Sequence, residues 1–397
     1  MKRLAWISLL ILVACSRQAP RGATPTSTSP TSTSAASTVP VAPTLGPPGT
    51  ETQGVFQLPE GRLLFSAYQS EQVRQSDPAV AEVFAGLAYY PWFEEYFWLD
   101  MADMTLEAHP TLIGLYPTQD RLVAMSPDLS RIAFERVVYT QPTQASSSVH
   151  LSGTNGAESA QIGQRFAGDR VLGTSWSLDS RVLAYWMGQD WQILGHERNH
   201  KIYLSEVDSG TASTVTIQAT QPATAALSTD GTQIAFSTLA ETPGMYLINA
   251  DGSEQQLLVE GAIDWIAWHP DGKRILFAEF SPDAGIHGYD TVTGVVTSIS
   301  PPGKRALSPR ISPDGNLIAY ESNGIYVVST EGGEALQLTG GGMREWLWSA
   351  NSQYLAYNTL PSTGASQVFV MDTLGNGRVA VSPKTLNATQ LIGWLAP

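Results

Sequence analysis

The chain has 397 residues, a formal net charge of −14 and a charged fraction of only 15%. That length holds one large core or two medium ones. An acidic balance with no basic run argues against sequence-independent nucleic-acid binding, and a single cysteine, Cys15, excludes an internal disulfide framework and any cysteine-based zinc site.

Residues 1–15 read as an export signal. Lys2 and Arg3 form a positive start, and Leu4 to Val13 is an apolar core too short to span a bilayer comfortably. It ends in Leu12-Val13-Ala14-Cys15, which resembles the bacterial lipoprotein signal. That resemblance implies cleavage before Cys15, a lipid on its thiol and a membrane as the first partner. Acyl chains add ~0.8 kcal/mol of membrane affinity per buried CH₂, so two or three chains anchor stably. Residues 16–54 follow as a Thr/Ser/Pro-rich tether. The run Ala23-Thr24-Pro25-Thr26-Ser27-Thr28-Ser29-Pro30 and its continuation to Pro48 hold too little apolar surface to offset the entropy of ordering.

From residue 55 to 397 one pattern recurs. Its clearest copy is Ser312-Pro313-Asp314-Gly315, then Ile318-Ala319-Tyr320, then Ile325-Tyr326-Val327-Val328, then Glu331-Gly332-Gly333. Pro313 fixes φ, Asp314 can bond the backbone two residues on, and Gly315 accepts φ > 0, so the first four residues form a turn. The β-branched and aromatic runs are of strand length. The acidic-turn position recurs at Asp128, Asp179, Asp230, Asp271, Asp314 and Asn351, at intervals of 51, 51, 41, 43 and 37. A shorter turn at Pro59-Glu60-Gly61 makes seven copies, with an insertion before Asp128. Four short strands in about 40 residues cannot bury their faces alone and read as one propeller blade.

The copies resemble the PD40, or TolB-type, β-propeller repeat over most of residues 55–397. The fold class is therefore all-β, a seven-bladed β-propeller with six blades as the alternative. Leu391-Ile392-Gly393-Trp394-Leu395 resembles the strand before each turn, as in Trp265-Ile266-Ala267-Trp268. It is expected to complete the first blade begun by Leu63-Leu64-Phe65 and so close the ring; the competing arrangement puts Val55-Phe56-Gln57 in that slot.

Departures from the repeat are where function is sought first. Within the first copy, Ser70 to Glu95 is inserted. Asp77-Pro78 can start a short helix with Val80, Val83, Phe84 and Leu87 on one face. Tyr89, Tyr90, Trp92 and Phe93 follow as a candidate partner surface, set against burial of the same aromatics over one face of the ring. His196, Glu197 and His200 match the His-Glu-x-x-His zinc-peptidase pattern. That chemistry needs both histidines on one helix face, whereas His200 directly precedes the strand Lys201-Ile202-Tyr203-Leu204, so the match is taken as chance and no metal is expected. No Gly-x-Ser-x-Gly elbow of a prolyl-oligopeptidase-type hydrolase occurs. Trp176, Trp265, Trp268, Trp346 and Trp348 fall just before turns and are read as packing between blades, with aromatic subsites around a channel as the alternative.

The expected function is non-enzymatic. It is a monomeric, lipid-anchored scaffold of the bacterial cell envelope, outside the cytoplasm, without cofactor. TolB-type propellers act through protein contacts at a ring face, so the resemblance implies a protein or peptide partner. The alternative is recognition of a small molecule or glycan in the central channel, with hydrolase or lyase chemistry built from channel side chains.

Overall fold

The computed structural model describes residues 58–69, 95–112, 118–141, 144–156, 159–189, 201–217, 222–238, 242–281, 285–301, 305–341, 343–359, 366–383 and 386–395. All belong to one unit of the chain, Gln53–Pro397. Cys15, the tether, the helix expected after Asp77, the aromatics Tyr89, Tyr90, Trp92 and Phe93, and the segment His196–His200 lie outside the described residues.

The described regular elements are strands, and they form seven four-stranded antiparallel sheets. The first blade holds β1 (Arg62–Gln69), β2 (Glu95–Asp100) and β3 (Leu106–Ala108). The second is β4 (Thr118–Met125), β5 (Arg131–Gln141), β6 (Gln144–Gly153) and β7 (Ala160–Ala167). The third is β8 (Asp169–Trp176), β9 (Val182–Gln189), β10 (Lys201–Glu206) and β11 (Ala212–Val215). The fourth is β12 (Pro222–Leu227), β13 (Gln233–Thr238), β14 (Gly244–Asn249) and β15 (Gln256–Glu260). The fifth is β16 (Ile263–Trp268), β17 (Arg274–Glu279), β18 (Ile286–Asp290) and β19 (Val296–Ser298). The sixth is β20 (Leu307–Ile311), β21 (Leu317–Glu321), β22 (Ile325–Ser329) and β23 (Leu336–Gln337). The seventh is β24 (Met343–Trp348), β25 (Tyr354–Thr359), β26 (Val368–Asp372) and β27 (Val379–Ala380).

The last strand, β28 (Leu386–Leu395), returns to the first blade and pairs with β1 from Arg62↔Leu395 to Gln69↔Leu386. It takes the innermost place, in the order β28-β1-β2-β3. Seven blades with a C-terminal closing strand are thus the architecture, and the six-bladed alternative is set aside.

The second strand of each blade is buried on both faces, because a neighbouring blade covers each side. That explains its pattern. In five blades a fully buried alanine lies at the centre, Ala133, Ala184, Ala235, Ala319 and Ala356, and Leu64 and Leu276 hold the place in the others. The next residue is aromatic and faces a ring on the third strand. Phe65–Phe97, Phe134–His150, Tyr185–Tyr203, Phe236–Tyr246, Phe277–His287, Tyr320–Tyr326 and Tyr357–Phe369 are cross-strand pairs with centroids 5.2–6.0 Å apart. Each such pair contributes about 0.5–1.5 kcal/mol beyond area burial.

The turns are built as expected, with one addition. Asp314 Oδ1 accepts the Asn316 N–H at 3.1 Å, and Gly315 has φ 78°. The addition is Ser312. Its hydroxyl donates to Asp314 at 2.6 Å and accepts the Leu317 N–H at 2.9 Å, tying the turn to the strand it starts. Ser126, Ser177, Ser228 and Ser349 do the same in their blades. His269 stands in for serine in the fifth blade, and its Nδ1 accepts the Asp271 N–H at 3.1 Å.

Consecutive turns are bonded to one another. The Asp128 N–H donates to Ser180 Oγ, Leu178 N–H to the Thr229 carbonyl, and Asp314 N–H to Ser352 Oγ, at 3.0, 2.9 and 3.0 Å. These turns therefore lie together on one side, the turn face. Antiparallel order puts the hairpins from third to fourth strands on that face too. Connections from second to third strands, and crossings to the next blade, lie on the opposite face.

Candidate functional site

The channel is walled by the inner strands β28, β4, β8, β12, β16, β20 and β24. Each changes register against its neighbour partway along, as between Val171 and Gly173 or Met343 and Trp346. Such bulges free backbone N–H groups that need acceptors. Side chains supply them. Glu135 Oε1 accepts the Val171 N–H at 2.9 Å, Asn358 Oδ1 that of Glu345 at 2.8 Å, and Glu345 Oε2 that of Leu391 at 3.3 Å.

The two mouths differ in chemistry because every inner strand ends in an apolar residue, whereas β4, β8, β16 and β24 carry charged residues in their first half. At the turn face lies a recess of about 260 Å³ lined from blades two to five. Trp176, Leu178, Trp268, Pro127 and Pro270 form its apolar wall, and Thr174, Ser175 and Thr229 give it hydroxyls. None of the described lining residues is titratable. Leu178 sits at its edge, 49% exposed. The Trp268 and Trp348 indole N–H groups donate to the carbonyls of Ala226 and Arg310, each on the preceding blade, at 3.1 and 2.9 Å. Trp176 Nε1 has no such partner among the described residues. Trp346 and Trp348 are buried core, as expected from the packing reading, while Trp176 and Trp268 reach the recess as well.

Toward the opposite mouth the wall is ionic. Arg136 forks onto Asp120 with two contacts of 2.7 Å, and the Asp120 side chain is fully buried. Arg121 Nε lies 2.9 Å from Glu135 Oε2. Burial pushes the Glu135 carboxyl up against the pull of Arg121, and burial likewise raises Asp264, which faces Arg305 at 3.5 Å. Glu135 and Asp264 belong to the second and fifth blades. Among the described residues no group of three His, Cys, Asp or Glu is placed to hold a metal. The turn acids are bound up in their turns: hydrogen bonds from Ser177 and Ser228 lower Asp179 and Asp230.

Sequence reading missed Glu135 and the recess. The only signal for Glu135 was a charged residue directly after the buried aromatic of a second strand, a place that Asn358 fills in the seventh blade. The insertion with Tyr89, Tyr90, Trp92 and Phe93 joins β1 to β2, and the segment with His196, Glu197 and His200 joins β9 to β10. Both connect second to third strands, so their described ends leave from the face opposite the recess.

The sequence matches the model of the TolB beta propeller domain, PD40, over residues 128–389. No curated protein sequence matches it. Solved structures share the fold at low identity. An oligogalacturonate lyase in complex with manganese is 13% identical with a TM-score of 0.58, over 79% of this chain and 91% of that one. The acylaminoacyl peptidase of Pyrococcus horikoshii is 11% identical with a TM-score of 0.56, over 82% of this chain and 51% of its own. The β-propeller domain of the Trilobed protease from Pyrococcus furiosus, described as having an open velcro topology, is 12% identical with a TM-score of 0.52, over 75% and 92%. In the present chain the two ends of the ring are instead paired, β28 with β1. Repeat, ring and family model agree: the chain belongs to the TolB-type PD40 β-propeller family.

Proposed function

We propose that this protein is a non-catalytic scaffold of the bacterial cell envelope, lipid-anchored through Cys15, that seats a protein or peptide partner on its turn face. One observation carries the reading: the recess at that mouth is apolar, aromatic-walled and free of titratable groups. Such a surface suits a partner's apolar side chain, and its described lining offers no titratable acid or base to activate the Ser and Thr hydroxyls. Val292 and Val295, 79% and 53% exposed in the β18–β19 hairpin, add exposed apolar side chains to the same face.

The test is affinity capture from envelope extract with the full chain in detergent. Leu178→Glu places a charge at the recess edge and should abolish capture while leaving the fold intact. Removing residues 70–94, which leave from the other face, should not. Capture lost only in the deletion variant would move the partner to the aromatic stretch Tyr89–Phe93. Cys15→Ala should release the protein from membranes; continued membrane retention would overturn the anchor. The ionic wall at the opposite mouth favours a second reading, recognition of a small polar ligand in the channel.

A further inference from the structure

The turn-face recess exists because one inner strand is made of small residues. β8 and β16 end in Trp176 and Trp268, whereas β12 between them reads Pro222-Ala223-Thr224-Ala225-Ala226-Leu227. Leu227 stands at the place the tryptophans hold, directly before the turn, and the space it leaves is the recess of about 260 Å³. Trp176 and Trp268 both line it. The Trp268 ring is fixed there, since its N–H donates to the Ala226 carbonyl at 3.1 Å.

The polar side chains of the recess are neutral, and several have a hydrogen to give. Ser175 Oγ accepts the Leu227 N–H at 2.9 Å, and its own hydrogen has no acceptor among the described residues. The hydroxyls of Thr174 and Thr229 likewise make no hydrogen bond among the described residues. The Trp176 Nε1–H is shielded from solvent and has no partner there, unlike the same group on Trp268 and Trp348. A shielded donor without an acceptor is costly, so an occupant that brings an acceptor is favoured.

We propose that the recess binds a neutral, proline-rich extended segment of the partner, with prolyl rings against Trp176 and Trp268 and backbone carbonyls accepting from the donors of the recess. Proline has no N–H to satisfy, and a polyproline II segment leaves its carbonyls free. Aromatic-lined grooves take such a segment at little cost in ordering, because it is already extended. An α-helix spends its carbonyls on its own N–H groups. Sugar hydroxyls donate as well as accept, and the described lining has no carboxylate or side-chain amide to receive them. The inference rests on the turn-face reading and names the chemistry of its partner.

The full chain in detergent is titrated by calorimetry with acetylated decaproline amide and, separately, with maltohexaose and with a glycine–serine decapeptide. Saturable binding of decaproline alone is expected. Trp176→Phe keeps a ring and removes the N–H, and should weaken that binding about three- to tenfold. Thr229→Val removes a hydroxyl and should weaken it by a similar factor. Melting curves close to that of the parent protein establish which variants fold. Absence of saturable decaproline binding, equal or tighter binding of either control, or binding that every folded variant leaves unchanged overturns the proposal. Partner capture that Leu178→Glu abolishes, in a chain that does not bind decaproline, keeps the turn-face reading and removes only this inference. Capture indifferent to Leu178→Glu removes the reading itself.

Discussion

Ring closure rests on β28, and Trp394→Ala tests it. Trp394 is 4% exposed and packs with Leu63, Phe65, Leu99 and Leu391, while its ring lies 6.4 Å from that of Tyr354 on the seventh blade. It therefore joins the last blade to the first. A tryptophan buries about 150–250 Å², worth roughly 4–6 kcal/mol at 25 cal/mol/Å². Cavity-forming Trp→Ala changes cost about 3–5 kcal/mol. For the roughly 270 described residues the unfolding entropy near the midpoint is about 0.6 kcal/mol/K, so the melting temperature should fall by about 5–8 °C. The assay is thermal unfolding followed by limited proteolysis, and β1 should become cleavable first because its inner partner is loosened. A melting temperature within about 1 °C of the parent, with unchanged proteolysis, would refute the seam.

Four further outcomes follow from the turns and buried histidines. Gly315→Ala should cost about 1–2 kcal/mol, since φ is 78° and the new Cβ would lie 3.0 Å from the His269 ring. Leu129→Gly, at φ 62° in the same turn position, should be neutral or stabilising by urea denaturation. Ser228→Ala removes a donor to Asp230 and an acceptor for the Gln233 N–H, and should destabilise by about 1–3 kcal/mol in the same assay. Burial holds His109 and His150 down at about 4 from 6.5, so both are neutral in the fold. The unfolded chain takes up those protons first, so their contribution is complete above pH 6.5 and is lost as the pH falls toward 4, by at most about 3 kcal/mol each. Glu135, raised by burial, works in the opposite sense and offsets part of that loss. Stability measured from pH 7 to 4 should fall, and replacing both histidines with asparagine should flatten the slope.

Blade count and closure were legible because each turn needs its own chemistry and each second strand its own burial. Asp314 and Gly315 announce a turn, Ala319 between Ile318 and Tyr320 a strand covered on both faces, and Trp394 a strand like Trp268. Leu129, Ser180 and Ser352 hide the same turn because they hold φ near 60° without glycine. The serine at the place of Ser312 was visible in five copies, yet its two hydrogen bonds depend on where Leu317 folds back. Glu135 was not legible as a wall residue, because the Val171 N–H it accepts is freed by a bulge in another blade. The recess likewise draws on blades two to five, far apart in sequence.

The central claim is that a partner sits on the turn face. Site-specific photocrosslinkers at position 178, beside the recess, and at position 280, where Phe280 follows β17 on the opposite face and is 60% exposed, test it directly in intact cells. Crosslinks to a protein partner from position 178 and none from position 280 are predicted. Crosslinks from position 280 alone would contradict it.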